Sequence, residues 1–266
     1  MGVGIHAVNF ASALSAVLWA ARTPHVCGYI TATGVHGVME SQDDPELKAI
    51  HNRSLLSLPD GAPMVWVGRV SGHSTMGLVG GPDFMRAVFA SGKGVRDRHF
   101  VWGGGPGVAA AVKRNLLGRH PHAVVVGVET PPFRPLTDDE EAQLVERINR
   151  ERPNFFWVGL STPKQERFMA RFLDRHRAAL HVGDQGFVMV GVGAAFDIEA
   201  GLTVEAPLWI RRSGFAWLYR LSKEPRRLWR RYLSNNPRFI AGILRQMLDS
   251  TRYDLHGYDR SGPFDL

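Results

Sequence analysis

Short, nearly continuous apolar runs alternate along the chain with segments in which apolar residues return every three or four positions. The runs predict strands near Val26–Thr31, Met64–Val67, Phe100–Trp102, Ala123–Val128, Phe155–Leu160 and Val188–Val192. Runs such as AVVVGV and FFWVG are apolar on both faces, as strands are when helices cover a sheet from both sides. Between them, Phe10–Arg22 is amphipathic, and Asp44-Pro45 reads as the cap and first residue of a helix. Pro82–Ala90 and Gly107–Leu117 follow. TDDE at 137–140 is a capping box for a helix reaching about Arg150, and Thr162-Pro163 opens another reaching about Arg175. Strands alternating with helices predict an α/β fold built on a doubly wound, mostly parallel sheet, in which ligands bind beyond the carboxyl ends of the strands.

The pattern changes after Gly201. Pro207, Pro225 and Pro237 punctuate short helical pieces, the last predicted over Pro237–Asp249, and the end of the chain, GYDRSGPFDL, reads as a loose tail. This divides the chain into an α/β domain over 1–201 and a helical C-terminal appendage over 202–266. The chain's net charge of +7 is concentrated there: between Arg211 and Arg245 stand ten Lys or Arg and one acid, Glu224. The stretch PRRLWRRYL interleaves arginines with Trp229 and Tyr232, which suits nucleic acid, an anionic membrane or a phosphorylated substrate. No helix-turn-helix, RNP or zinc spacing accompanies it, so a nucleic-acid-binding protein is the secondary expectation.

Other features narrow the classes. A single cysteine, Cys27, excludes an intramolecular disulfide. The most apolar candidate span, Ile5–Ala21, is broken by His6, Asn9, Ser12 and Ser15, and no basic segment precedes it, so neither a membrane span nor a signal peptide is expected. His6 stands where N-myristoylation requires Ser or Thr. The pairs Asp43-Asp44 and Asp138-Asp139 fall at helix starts, where acids serve the helix dipole, so no metal site is expected.

Four polar loops follow or border predicted strands. VWGGGPGVAAAV places Gly103, Gly104, Gly105 and Gly107 at the entry to a helix, a tight turn or a seat for a diphosphate. LPDGAPMVW places Asp60-Gly61 just before a predicted strand, as a turn or as a general base. GLSTPKQERF places Lys164 and Gln165 in a first helical turn, where a cation is rationalised by a bound anion. GVGAAFDIEAG ends on small residues and Asp197, solvated or bound to a ligand donor.

These loops in this order, followed by APLW…GFAWLYRLSKEPRRLWRRYL, resemble the WecG/TagA/CpsF family of glycosyltransferases from about His25 to Phe239. The resemblance implies a modified Rossmann-like domain with a C-terminal appendage. It implies inverting transfer of a hexose (N-acetylmannosamine, its uronic acid or glucose) from a UDP-sugar, without a metal cofactor. The implied acceptor is an undecaprenyl-diphosphate-linked saccharide in cell-surface or exopolysaccharide synthesis. The implied setting is cytoplasmic, peripheral on an anionic membrane surface, with no nucleic acid and with a homo-oligomer left open. By the same resemblance Asp60 is the base, Gln165 lies near the donor sugar, Asp197 lies near the nucleotide, and Arg220, Arg227 and Arg230 are the appendage arginines. Three departures stand out. The family's T-x-N falls on Ala32 and Gly34, with Thr33 or His36 as substitutes; an expected Arg falls on Leu78; and R-A-P reads Glu205-Ala206-Pro207. The first two imply a changed sugar preference or reduced activity.

Overall fold

The computed structural model describes residues 1–92 and 97–248; the predicted tail and Asp249, the end of the last predicted helix, lie outside them. The elements run α1 (Phe10–Arg22), β1 (Cys27–Thr33), α2 (Val35–Asp43), α3 (Pro45–Asn52), β2 (Leu56–Pro59), α4 (Ala62–Val70), α5 (Gly81–Ser91), β3 (Arg98–Gly103) and α6 (Val108–Arg119). They continue with β4 (Val124–Glu129), α7 (Asp138–Glu151), β5 (Phe155–Gly159), α8 (Lys164–His176), β6 (Phe187–Gly191), α9 (Ala195–Glu199), α10 (Leu208–Arg212), α11 (Ala216–Lys223) and α12 (Pro225–Leu248). The strands form one all-parallel sheet in the order β2-β1-β6-β5-β3-β4. This is the expected Rossmann-like α/β architecture.

The predicted strand at Met64–Val67 is corrected: those residues belong to α4. MVWV is apolar throughout, but Ala62, Met64 and Val65 are buried while Trp66 and Val70 are exposed, which is the spacing of a helix with one buried face. The strand in this region is LSLP, wholly buried though it carries Ser57. Buried polar groups need partners, and the Ser57 hydroxyl donates to Thr33 Oγ1 at 3.0 Å. Asp60-Gly61 therefore follows a strand instead of preceding one. Two helix-level expectations are also revised. Pro163 is the cap of α8, and the Thr162 hydroxyl donates to the Glu166 carboxylate at 2.9 Å instead of capping. Pro237 does not start a helix but lies inside α12; the carbonyl left without a donor belongs to exposed Leu233.

The chain falls into two compact units. The first comprises Met1–Ala13, Ala32–Gly80 and the chain from Glu205 onward; the second comprises Leu14–Thr31 and Gly81–Val204. In the first unit, Val38, Met39, Met64 and Phe239 form a buried cluster lined by Met1, Val3, Ile5, Val35, Val67 and Ile243. Burial of such side chains is worth about 1.5–3 kcal/mol each, so α12 is fastened to α2 and α4 by its apolar face. A two-pronged pair from Arg238 to Asp43, at 2.6 and 2.8 Å, marks the same junction. The basic C-terminal helices thus share their core with the segment that carries Asp60.

In the second unit the sheet is aromatic: Phe100, Phe155, Phe156 and Trp157 are fully buried. His99 stacks on Phe89 at 4.0 Å and accepts from Trp157 Nε1 at 3.2 Å. The capping box at Thr137 and Glu140 is formed as its sequence implies. Buried Glu199 is held by Arg86 at 2.7 Å and by Arg119, which joins α9 to α5 and α6.

Neutral burial of histidine has a measurable consequence. His51 is sealed in the first unit with Nδ1 3.1 Å from Thr33 Oγ1, and burial pushes it down to about 4. In the unfolded chain it charges near pH 6.5. Its contribution to stability is complete above that pH and is lost as pH falls toward 4, because the unfolded state then binds the extra proton. His51→Gln is expected to flatten the pH dependence of unfolding free energy in that window by close to one proton, about 1.4 kcal/mol per pH unit. Urea titrations of both proteins across the window check it, and equal slopes would refute it.

Candidate active site

Asp60 begins the first cluster. Its backbone N–H donates to the Thr33 carbonyl at 3.1 Å, Val79 N–H donates to Pro59 at 3.1 Å, and Gly61 follows with φ 104°. A positive φ is a conformation glycine adopts without strain, and it lets the chain leave β2 and enter α4 within two residues. Asp60 is half-buried at the end of β2. Burial pushes its proton affinity up, and the Arg220 and then the Arg211 guanidinium pull it back down. A carboxyl group so placed favours its neutral form more than a solvated one, yet two cations keep the ionised form within reach.

Arg220, on α11, belongs to a larger cationic group. Burial lowers the proton affinity of half-buried Arg231, with Tyr232 opposing and Arg220 and Arg227 adding repulsion. Arg227 is paired with Glu224. Tyr232 sits among these arginines with its ring 5.6 Å from Trp217, and burial raises its phenol. Arg227 and Arg231 are one helical turn apart and face together. Arg230 instead lies 5.2 Å over the Trp229 ring, among exposed residues. The cluster is thus Arg220, Arg227 and Arg231, with Arg230 beside it. Like charges held close repel one another, and an anion between them relieves that cost.

Thr33 and His36 are in the same unit. Thr33 is buried, with its hydroxyl between Ser57 Oγ and His51 Nδ1. His36, in the first turn of α2, has Nδ1 3.1 Å from Asn235 Nδ2 and 3.5 Å from Glu40. Gly34 is pressed against residue 60: a β-carbon there would stand 2.7 Å from the Asp60 carbonyl oxygen.

The second unit holds the other predicted residues. Gly103 and Gly104 leave β3 with φ 136° and 70°, and Gly104 N–H donates to the Gly159 carbonyl at 2.9 Å. The Gly105 carbonyl accepts from Val108, and Gly107 caps α6 in the left-handed region without a side-chain acceptor. Lys164 is exposed in the first turn of α8. Gln165 is buried: its amide oxygen accepts from Gly193 N–H at 2.9 Å and its Nε2 donates to Glu166 Oε1 at 3.0 Å. Asp197 starts the short helix α9, and its carbonyl accepts from Leu202 and Thr203.

Glu166 and Arg211 went unnoticed in the sequence. Glu166 is fully buried, and burial raises its carboxyl although Gln165, its own backbone and Thr162 hydrogen-bond to it. The pattern PKQE held the clue, since an acid one residue into a buried helical turn needs donors. A cavity of about 360 Å³ elsewhere in this unit lies at the amino ends of β3 and β6, lined by Arg98, Arg152, His181 and Gln185 among others, and contains none of the predicted residues. Among the described residues no three His, Cys, Asp or Glu gather as a metal site, and no helix is long and apolar enough to cross a membrane.

The family model described as Glycosyl transferase WecG/TagA/CpsF family matches residues 1–253. The chain belongs to this family. Two curated relatives are both named N-acetylglucosaminyldiphosphoundecaprenol N-acetyl-beta-D-mannosaminyltransferase. The one from Bacillus spizizenii is 26% identical over 206 residues, 77% of this chain and 74% of that protein. The one from Bacillus subtilis is 25% identical over 189 residues, 71% of this chain and 68% of that protein. A WecG/TagA/CpsF chain is a glycosyltransferase.

Proposed function

We propose that this glycosyltransferase moves a hexose, with inversion, from a UDP-sugar to an undecaprenyl-diphosphate-linked saccharide while resting on the cytoplasmic face of a membrane. The observation that carries the reading is the Asp60 carboxyl embedded at the end of β2 with Arg220 and Arg211 in electrostatic range. The names of the two Bacillus relatives support the lipid-diphosphate acceptor.

In this reading an acceptor hydroxyl oxygen attacks the anomeric carbon, its proton passes to an Asp60 oxygen, and the bond from the anomeric carbon to the UDP oxygen breaks. The transition state resembles an oxocarbenium ion. Arg220 and Arg227, with Arg230 or Arg231, neutralise diphosphate charge; in the second unit, by the family resemblance, the turn at Gly103–Gly107 offers backbone donors and Lys164, Gln165 and Asp197 serve donor binding, Gln165 as a buried support. His36 takes the place of the missing T-x-N, since the Thr33 hydroxyl is engaged by Ser57 and His51. Residues 202–266 act as the appendage that supplies the arginines.

The test is UDP release from UDP-N-acetylmannosamine, its uronic acid and UDP-glucose, each with and without a polyprenyl-diphosphate-linked N-acetylglucosamine acceptor. Acceptor-dependent release from one donor is expected. Silence with all three donors and a correctly folded protein would defeat the reading.

Membrane contact is assigned to the exposed apolar side chains among the cations of α10 to α12. Trp209 is 70% and Phe215 58% exposed, and basic residues near an anionic leaflet add about 1 kcal/mol each. Inserting an exposed aromatic is worth roughly 1.5–3 kcal/mol. The double variant Trp209→Ser/Phe215→Ser is therefore expected to lose tenfold or more of its co-sedimentation with phosphatidylglycerol-containing vesicles, while melting at an unchanged temperature. Full binding by the variant would show that these rings do not contact lipid.

A further inference from the structure

Two charged side chains lie beside Asp60 without a part in the mechanism just described. Arg211 lies in the last turn of α10, and its Nη1 is 2.8 Å from Glu205 Oε1, both side chains only 19% exposed. A β-carbon built on Gly80 would stand 3.8 Å from Asp60 Oδ1 and 4.0 Å from Arg211 Nη1. The carboxylate and the guanidinium therefore flank one bare backbone position, with no side chain from residue 80 to separate them.

We infer that Arg211, held by Glu205, is a positioning residue that keeps Asp60 in its proton-accepting carboxylate form. The inference rests on Asp60 being the base. Burial disfavours the charge on Asp60, and the cations that oppose this are Arg220 from α11 and Arg211 from α10. A base buried without such neighbours stays protonated at neutral pH and cannot accept the acceptor's proton. Arg211 reaches its place on a helix of five residues, too short to fix a long side chain by itself. Glu205, six residues earlier and just before the Ala206-Pro207 turn, supplies that constraint. The position where the resemblance calls for an arginine thus carries an acid here, and its partner is the cation beside the base.

The experiment follows the side-chain carboxyl carbon of Asp60 by NMR in ¹³C-aspartate-labelled protein, assigned with Asp60→Asn, alongside the pH profile of kcat/KM. In Arg211→Gln the Asp60 midpoint and the acid limb of the profile are both expected to move up by about one pH unit, with the alkaline plateau retained. Glu205→Gln is expected to move them the same way, and the double variant no further than Arg211→Gln. Arg211→Lys, which preserves the charge, is expected to recover part of the shift and serves if the glutamine variant fails to fold. An unmoved midpoint in Arg211→Gln, or in Glu205→Gln, would overturn the inference, as would a downward shift in Glu205→Gln. A moved midpoint with an unmoved acid limb would overturn Asp60 as base while leaving the Arg211 coupling in place.

Discussion

Asp60→Asn is expected to slow sugar transfer by about 10²- to 10⁴-fold, the usual contribution of a positioned general base, while nucleotide affinity changes little. The substitution is nearly isosteric. The backbone bond from residue 60 to the Thr33 carbonyl does not involve the side chain, so the end of β2 keeps its path. What is lost is an oxygen able to take the acceptor's proton. Single-turnover UDP release with a lipid-linked acceptor measures the chemical step, and calorimetry with UDP measures binding. A variant that transfers at the parental rate would remove Asp60 from the mechanism.

The second large effect is on stability. Gly103 stands at φ 136°, and a β-carbon on it would lie 2.7 Å from the backbone N, C and O of Gly159. Neither party can retreat, because β5 is fully buried between β3 and β6. Gly103→Ala is expected to cost about 3 kcal/mol or more, combining backbone strain with overpacking, and to lower the melting temperature by roughly 10 °C. Gly118→Ala is the control. That residue is exposed near the end of α6 with nothing within 4 Å of a β-carbon, so the change should be neutral or mildly stabilising. Equal melting of the two variants would show that the approach of β3 to β5 is not tight.

The elements legible in the sequence were those whose local and tertiary demands agree. FFWVG is apolar because both faces of β5 are covered, and TDDE caps α7 because its side chains bond within one turn; AVVVGV, expected to be covered likewise, is instead the partly exposed edge strand β4. β2 was illegible for the opposite reason. LSLP has no β-branched residue and buries a serine that is tolerable only because Thr33, distant in sequence, receives its hydroxyl. The helix through MVWV was hidden because four adjacent apolar residues carry no period. Among site residues, Asp60 and Arg220 could be named from the resemblance, and the structure sets them in one field. The pairing of Arg211 with Glu205 depends on which way neighbouring side chains turn, and a run of cations does not encode that. Gln165 was visible as a motif letter, but its engagement with Gly193 and Glu166 required the fold.

The crowding at Gly34 sets a rule for anyone seeking to redesign sugar choice in this enzyme. Grafting the asparagine that relatives of its family are expected to carry there would drive its first side-chain atom into the peptide carbonyl of residue 60. Swapping that one letter would displace residue 60, the base of the proposed mechanism, along with the hydroxyl contact it was meant to restore. In the proposed mechanism donor preference and proton transfer are mechanically tied at this spot, so a useful exchange has to transplant the β1–α2 turn together with the β2–α4 turn as a matched pair.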